Sequence, residues 1–266
     1  MYDFHLHSEH SMDSIASMES MVLSAIDKNF KSICFTDHVD FDSTIKRIDF
    51  SFRESDYFKN INQVKYKYSK DIEVLAGVEI GIQSHLFERY NKFINDNPFD
   101  FVLMSIHSVN QMDINGDNFL EGLHPLVALE EYYNDMYNCI KNYQNFDIVG
   151  HIDYIDRYFL DNTKIPRYDD YSYIIEEILK LIIKNGKGIE INTSGIRHGL
   201  KYFHPKVQIL KLYKELGGEI LTIGSDAHQP EYLGYDYRVA ERLLKDLGFK
   251  YIHLFKDRKK YPIHIG

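Results

Sequence analysis

Histidines and carboxylates recur at similar places in successive apolar runs of this chain. FHLHS places His5 and His7 two apart, and in an extended segment residues two apart project from one face, so both imidazoles could share an ion. Near the other end, GSDAH places Asp226 and His228 two apart after the run EILTIG, repeating that geometry with one carboxylate. Between them, CFTDH ends in Asp37 and His38, AGVEI carries Glu79, VLMSIHS carries His107 and IVGHID carries His151. A lone histidine in an apolar run is more often packed or hydrogen-bonded than a ligand. Six of the 13 histidines falling at the same end of successive runs is a different matter. Buried imidazoles and carboxylates need partners, and cations supply them. A mixed set without thiolates suits Zn, Mn or Fe better than a structural thiolate site or a calcium cage. Divalent ions held close together generate hydroxide at neutral pH and clamp phosphate oxygens, so hydrolysis of a phosphate ester is the expected chemistry.

Positioning such a set requires elements whose ends converge. Short apolar runs at 2–7, 32–38, 72–80, 99–107, 146–152, 188–194 and 219–226 read as strands. Between them lie amphipathic stretches at 14–30, 53–69, 86–96, 126–143, 170–185, 205–216 and 236–247. In the first, Ile15, Met18, Met21, Val22, Ala25 and Ile26 make one apolar face, with Ser14 as a cap. Strand-helix alternation with short connections predicts one α/β domain over 1–266, a TIM-like parallel barrel closed or nearly so, with 251–255 adding an eighth strand or covering an end. In such a barrel the carboxyl ends of the strands share a rim, which makes distant residues neighbours. The segment 108–125, with Gly116 and Gly122, reads as a long loop beside the site.

Composition narrows the function class. The chain has 266 residues, 44% hydrophobic and 27% charged, which is ordinary for a globular protein. It contains no apolar run of bilayer length, and MYDFHLHSEH resembles no export signal, so a cytoplasmic protein without membrane contact is expected. Cys34 and Cys139 suit reduced, buried thiols. A net charge of -9 argues against a nucleic-acid partner, while bound cations would make one pocket locally positive.

The ordered series HxH, TDH, GVE, SIHS, GHID and SDAH, spanning residues 5–228, resembles the PHP family (polymerase and histidinol phosphatase) of metal-dependent phosphoesterases. The resemblance implies a distorted seven-stranded (β/α) barrel and two to three divalent ions of Zn, Mn or Fe. Carried over, His5, His7, Glu79 and Asp226 resemble one ion's ligands; Glu79, His107 and His151 a second's; His38 and His228 a third's. Where the family often has a further histidine, this chain has Asp13, which can ligate the same ions; His10 is nearby but misplaced. EINTSGIRHG at 190–199 and GHIDYIDRY, ending at Tyr158, are most similar to the histidinol phosphate phosphatases of that family.

That resemblance implies a phosphoric monoester hydrolase acting on histidinol phosphate in histidine biosynthesis, with metal-activated hydroxide as nucleophile. Arg157 and Arg197 are then expected on the phosphate, since guanidinium forks take its oxygens in paired hydrogen bonds. Gly195 is expected to make a tight turn aiming Arg197. Asn192 and Ser194 are expected near the rim beside Arg197, and Glu190 and Asn192 are candidates for the substrate's ammonium or imidazole end. Asp226 or His228 is expected to give the leaving alkoxide its proton. The alternatives are other activities of the same family, a phosphotyrosine phosphatase or a nuclease or exonuclease, and, from another class, a metal-binding regulatory module without turnover.

Overall fold

The computed structural model describes residues 1–43, 48–115, 119–159 and 161–266. Seven parallel strands form the barrel: β1 (Tyr2–Leu6), β2 (Ser32–Phe35), β3 (Glu73–Gly81), β4 (Phe101–Ser105), β5 (Ile148–Val149), β6 (Gly188–Asn192) and β7 (Leu221–Gly224), paired in that order. Helices α1 (Met18–Asp27), α2 (Glu54–Lys67), α3 (Phe87–Asn95), α4 (Pro125–Asn142), α5 (Ser172–Lys184), α6 (Val207–Glu215) and α7 (Tyr237–Asp246) complete the strand-helix units. The ring closes between β1 and the segment after β7. Leu6 bridges Ala227 in parallel, the His7 N–H donates to the Ala227 carbonyl (2.9 Å), and the Asp226 N–H donates to the His5 carbonyl (2.7 Å). Asp3 latches this seam: its carboxylate accepts the N–H groups of Ser225 (2.9 Å) and Gly234 (3.0 Å).

The strands read as continuous apolar runs because helices cover their outer face and side chains fill the inside. Along β4, Val102 and Met104 join the large outer core, while Phe101 and Leu103 join a smaller inner cluster with Phe4, Cys34, Leu75 and Ile148. Along β3 the inward positions Leu75, Gly77 and Glu79 climb from this apolar floor to the rim, following the period of two. On β1 the register slips between Asp3 and Leu6, and such irregularities re-aim side chains; Phe4 stays in the floor while His5 and His7 rise above it.

Several elements differ from the sequence reading. The first helix begins at Met18, not at residue 14; its cap is Ser17, whose side chain accepts the Ser20 N–H, while Ser14 donates to the His228 carbonyl and Ile15 is 94% exposed. Either serine suits the local pattern, and packing selects Ser17. The reading missed an antiparallel hairpin, His38–Ser43 with Ile48–Phe50, which attaches to the end of β3 through His38–Glu79 and Val39–Ile80. The expected loop 108–125 contains a small hairpin, Ser108–Val109 with Met112–Asp113, and Gly116 lies outside the described residues. Cys34 and Cys139 are buried and free. No helix among the described residues is long and apolar enough to cross a membrane.

The expected 251–255 strand is Tyr251–Lys256, paired antiparallel with Lys259–His264, and it covers the barrel's end instead of joining its sheet. Phe255 inserts into the inner cluster, 5.2 Å from the Phe101 ring. The hairpin turn is fixed by the Arg258 N–H on the Asp100 carbonyl (2.9 Å) and by the Arg258 guanidinium on Asp147 (2.6 Å). Truncating a plug of this kind leaves a cavity under the site. Phe255→Ala should lower the unfolding free energy by about 3–5 kcal/mol in denaturant titration; a loss below about 1 kcal/mol would show that the hairpin does not seal the barrel.

Candidate active site

At the carboxyl ends of the strands, Glu79 lies fully buried with five imidazoles around its two oxygens. His5 Nε2 (3.1 Å), His7 Nε2 (3.6 Å) and His38 Nδ1 (3.0 Å) face Oε2; His151 Nε2 (2.9 Å) and His107 Nε2 (3.3 Å) face Oε1. Asp226 closes the ring of ligand atoms, with Oδ1 3.6 Å from His5 Nε2 and 3.3 Å from His7 Nε2. Its backbone is left-handed at φ 53°, a conformation Asp tolerates better than most residues. His228 and His38 stack on His7 at 4.1 Å and 4.2 Å and lie 5.8 Å from each other. Asp13 turns inward, its Oδ2 3.2 Å from His228 Nε2 and 3.6 Å from His38 Nε2. All nine residues read as metal ligands therefore meet at one site.

Partners behind the rings orient them. Glu190 takes His5 Nδ1 at 2.7 Å, leaving Nε2 for the centre. Asp40 takes His107 Nδ1 at 3.1 Å with the same effect. The His228 Nδ1–H donates to the Asp226 carbonyl (3.1 Å), and His7 Nδ1 meets Ser11 Oγ at 3.1 Å. Ser11 in turn donates to Asp37 (2.7 Å), which also accepts the Ser8 N–H (2.6 Å) and hydroxyl (2.8 Å). Asp37 thus holds the loop after β1 and does not face the pocket. These carboxylate and hydroxyl partners fix the ring orientation and tautomer that ligation needs.

The donor set fits divalent cations. His5 Nε2 and His7 Nε2 approach to 3.1 Å, although at most one proton can lie between them. His38 Nδ1 is buried near Glu79 without hydrogen-bond geometry. Four overlapping triads, His5–His7–Glu79, His5–His151–Asp226, His38–Glu79–His107 and His7–His38–His228, keep their ligand atoms within 4.8 Å of one another. Burial alone would raise the Glu79 carboxyl, but the His5, His38 and His107 rings hold it well below the usual range. Burial would lower the His107 ring, yet Asp40 and Glu79 raise it to about 10. Burial, with His228 and His38 alongside, pushes His7 well down. Burial and the neighbouring charges thus drive adjacent rings in opposite directions.

A pocket of about 340 Å³ opens above this floor. Arg157 and Arg197 line one side of it with Tyr154, Tyr158 and His198. Arg197 donates from Nη2 to the Ser225 and Asp226 carbonyls and lies over the Tyr232 ring at 4.8 Å. Arg157 lies over Tyr154 at 4.8 Å, with Nη1 3.5 Å from Asp226 Oδ2 and Nη2 on His198. The opposite side carries Asp13, His38, His107 and Asn115.

One expectation fails here. Glu190 and Asn192 cannot meet a substrate: both are buried beneath the histidines, Glu190 holding His5 Nδ1 and the His151 N–H (2.9 Å), and Asn192 bonding Glu190 (3.1 Å) and the Ser194 N–H (2.9 Å). Ser194 is buried likewise. Gly224 permits the Glu190 contact, since a Cβ there would lie 2.1 Å from Glu190 Oε1 and 2.4 Å from the His5 Cβ. Gly195 is the second residue of the tight helical turn Ser194–Arg197 that carries Arg197, and it lacks a side chain because a Cβ would meet the Tyr202 carbonyl at 2.5 Å. Sequence reasoning missed Asp40, Tyr154 and His198; Asp40 alternates with His38 in HVDFDS, which was the available signal.

Residues 3–194 match the model of the PHP domain. The "Probable histidinol-phosphatase" of Clostridium acetobutylicum is 34% identical over 262 residues, covering 98% of this chain and 99% of that protein. The histidinol-phosphatase of Lactococcus lactis is 30% identical over 263 residues, covering 97% and 95%. The crystal structure of the histidinol phosphate phosphatase from Lactococcus lactis, complexed with zinc, L-histidinol and phosphate, superposes with a TM-score of 0.89 at 30% identity and covers 98% of both chains. Motifs, barrel and converging ligands agree with these similarities, and the chain belongs to the PHP domain family, on its histidinol-phosphatase branch.

Proposed function

We propose that the protein hydrolyses L-histidinol phosphate to L-histidinol and phosphate, the phosphatase step of histidine biosynthesis. The observation that carries this is a pocket lined by two guanidiniums over eight clustered histidine and carboxylate side chains, in a chain matching nearly end to end an enzyme crystallised with zinc, L-histidinol and phosphate. Two to three ions of the Zn, Mn or Fe type would be held by His5, His7, Glu79 and Asp226; by Glu79, His107 and His151; and by His38, His228 and Asp13. Bound there, such ions supply hydroxide at neutral pH and positive charge against phosphate oxygens.

The chain's own groups do the rest. Arg197, anchored through Nη2 to two carbonyls, presents the remainder of its fork to the pocket, and Arg157 approaches from the same wall. Both neutralise charge that develops on the transferring phosphoryl group. Asp226 and His228 both border the pocket. Burial would raise the Asp226 carboxyl, but His5, His7, His228 and Arg157 hold it well below its usual range. Protonation of the leaving alkoxide falls to Asp226 or His228, the two candidates at that border. No serine or cysteine is activated as a nucleophile, so water attacks phosphorus directly.

The test compares kcat/KM of metal-replete protein for histidinol phosphate, an aryl phosphate and a dinucleotide, with a chelated control. Histidinol phosphate should lead, and chelation should abolish turnover; a ratio at or below one against either competitor would remove the substrate assignment. Arg197→Ala should retain metal and reduce kcat/KM by about 10²-fold, with Arg197→Lys recovering only part because it lacks the fork. An unchanged rate would take Arg197 off the phosphate. Asp13→Ala should release one metal equivalent, read by elemental analysis, and Asp13→His should keep it; full occupancy in the alanine variant would exclude Asp13 as a ligand.

A further inference from the structure

In DYIDRY, residues 153–158, positions three apart pair Asp153 with Asp156, Tyr154 with Arg157 and Ile155 with Tyr158. Tyr154–Tyr158 is a 3-10 turn, and at three residues per turn side chains three apart lie one above the other. Tyr154 and Arg157 form the face that lines the pocket. Asp153 and Asp156 form a second face, fully buried and outside that lining. Asp153 accepts from His204 Nδ1 (2.6 Å) and from the Lys206 N–H (2.8 Å). Asp156 accepts from Lys206 Nζ (2.7 Å) and from the Tyr202 hydroxyl (2.7 Å). Lys206, 7% exposed, also donates to the Tyr171 hydroxyl (2.7 Å).

Arg157 has little of its own to hold it. Its Nη1 contact with Asp226 is long, at 3.5 Å, and its other partners are His198 on the pocket wall and the Tyr154 ring of its own turn. Rotating the turn by one residue would swing the guanidinium out of the pocket, and the two aspartates resist that rotation because both end on Lys206. Burial would lower the Lys206 ammonium, but Asp156 and Asp153 raise it above its ordinary value, so the clamp stays charged. We propose that Lys206 is a positioning residue for phosphate recognition: by gripping Asp153 through its backbone N–H and Asp156 through its ammonium, it sets the phase of the turn and the aim of Arg157. This rests on the reading of the pocket as a phosphatase site with Arg157 on the phosphate.

A double-variant cycle tests it on metal-loaded protein, using Lys206→Met, Arg157→Ala and the pair. Rates are read with histidinol phosphate and with p-nitrophenyl phosphate, so a failed substrate assignment, seen as turnover of the aryl ester alone, is separate from a failed clamp. Lys206→Met should lower kcat/KM by about 10²-fold with metal content unchanged, as misplacement of a substrate-orienting group does. In the Arg157→Ala background the same change should cost less than about twofold, because the group it positions is gone. Losses that multiply, or Lys206→Met without effect, would overturn the proposal. If Lys206→Met fails to fold, Tyr202→Phe removes a single donor from Asp156; its loss should likewise vanish in the Arg157→Ala background, and a loss that persists there would overturn the proposal equally.

Discussion

Glu79 beneath five imidazole rings is the constraint around which the rest of the molecule is arranged. An isolated buried carboxylate is costly, and the five imidazole rings packed around Glu79, three of them buried, are its partners. Holding them together therefore needs a rigid frame on every side. β3 brings Glu79 up from the apolar floor, β1 brings two rings, the segment after β7 brings Asp226 and His228, and the His38 hairpin hydrogen-bonds directly to the end of β3. Three of the rings have a brace of their own: Glu190 for His5, Asp40 for His107, Ser11 for His7. The polarity of the rim is thus balanced by the apolar plug at the other end, where Phe255 keeps water from reaching the site from below.

Much of this was legible in the sequence because ligand chemistry leaves a coarse signal. Histidines and carboxylates at the ends of apolar runs are rare by chance, so the ligand set could be read before any fold was known, and parallel strands buried on both faces announce themselves by unbroken apolar runs. What could not be read was decided by side-chain direction and packing. Glu190 stands in a motif beside Arg197, and nearness in sequence suggested a substrate contact; its inward position, opened by Gly224 on the neighbouring strand, makes it the brace of His5 instead. Ser14 and Ser17 are equivalent as local caps, and only the packing of Met18 and Met21 selects the later start. β5 shrinks to Ile148–Val149 because Asp147 is turned to the Val102 N–H and to Arg258 at the barrel floor.

The two arginines illustrate how one pocket wall can be built from unrelated local structures. Arg197 leaves a helical turn that can start only where Gly195 lets the chain pass the Tyr202 carbonyl. Arg157 leaves a tighter turn whose period of three separates the face that meets solvent from the face that anchors. A histidine or aspartate at a strand end is oriented by the sheet itself. An arginine on a connecting loop has no such guide, and buried polar anchoring must replace it.

The seam between β1 and the residues after β7 gives the molecule a chronology. His5 is made long before Asp226, yet the Asp226 N–H bonds the His5 carbonyl and the two side chains lie 3.6 Å apart in one cluster. During synthesis at about 5–20 residues per second, β1 must wait on the order of ten seconds or more for its neighbour across the seam. Until then the ring is open, and the early ligands form only part of a shell. A full shell therefore forms only once the segment after β7 has closed the seam with β1, so metal occupancy would report barrel closure.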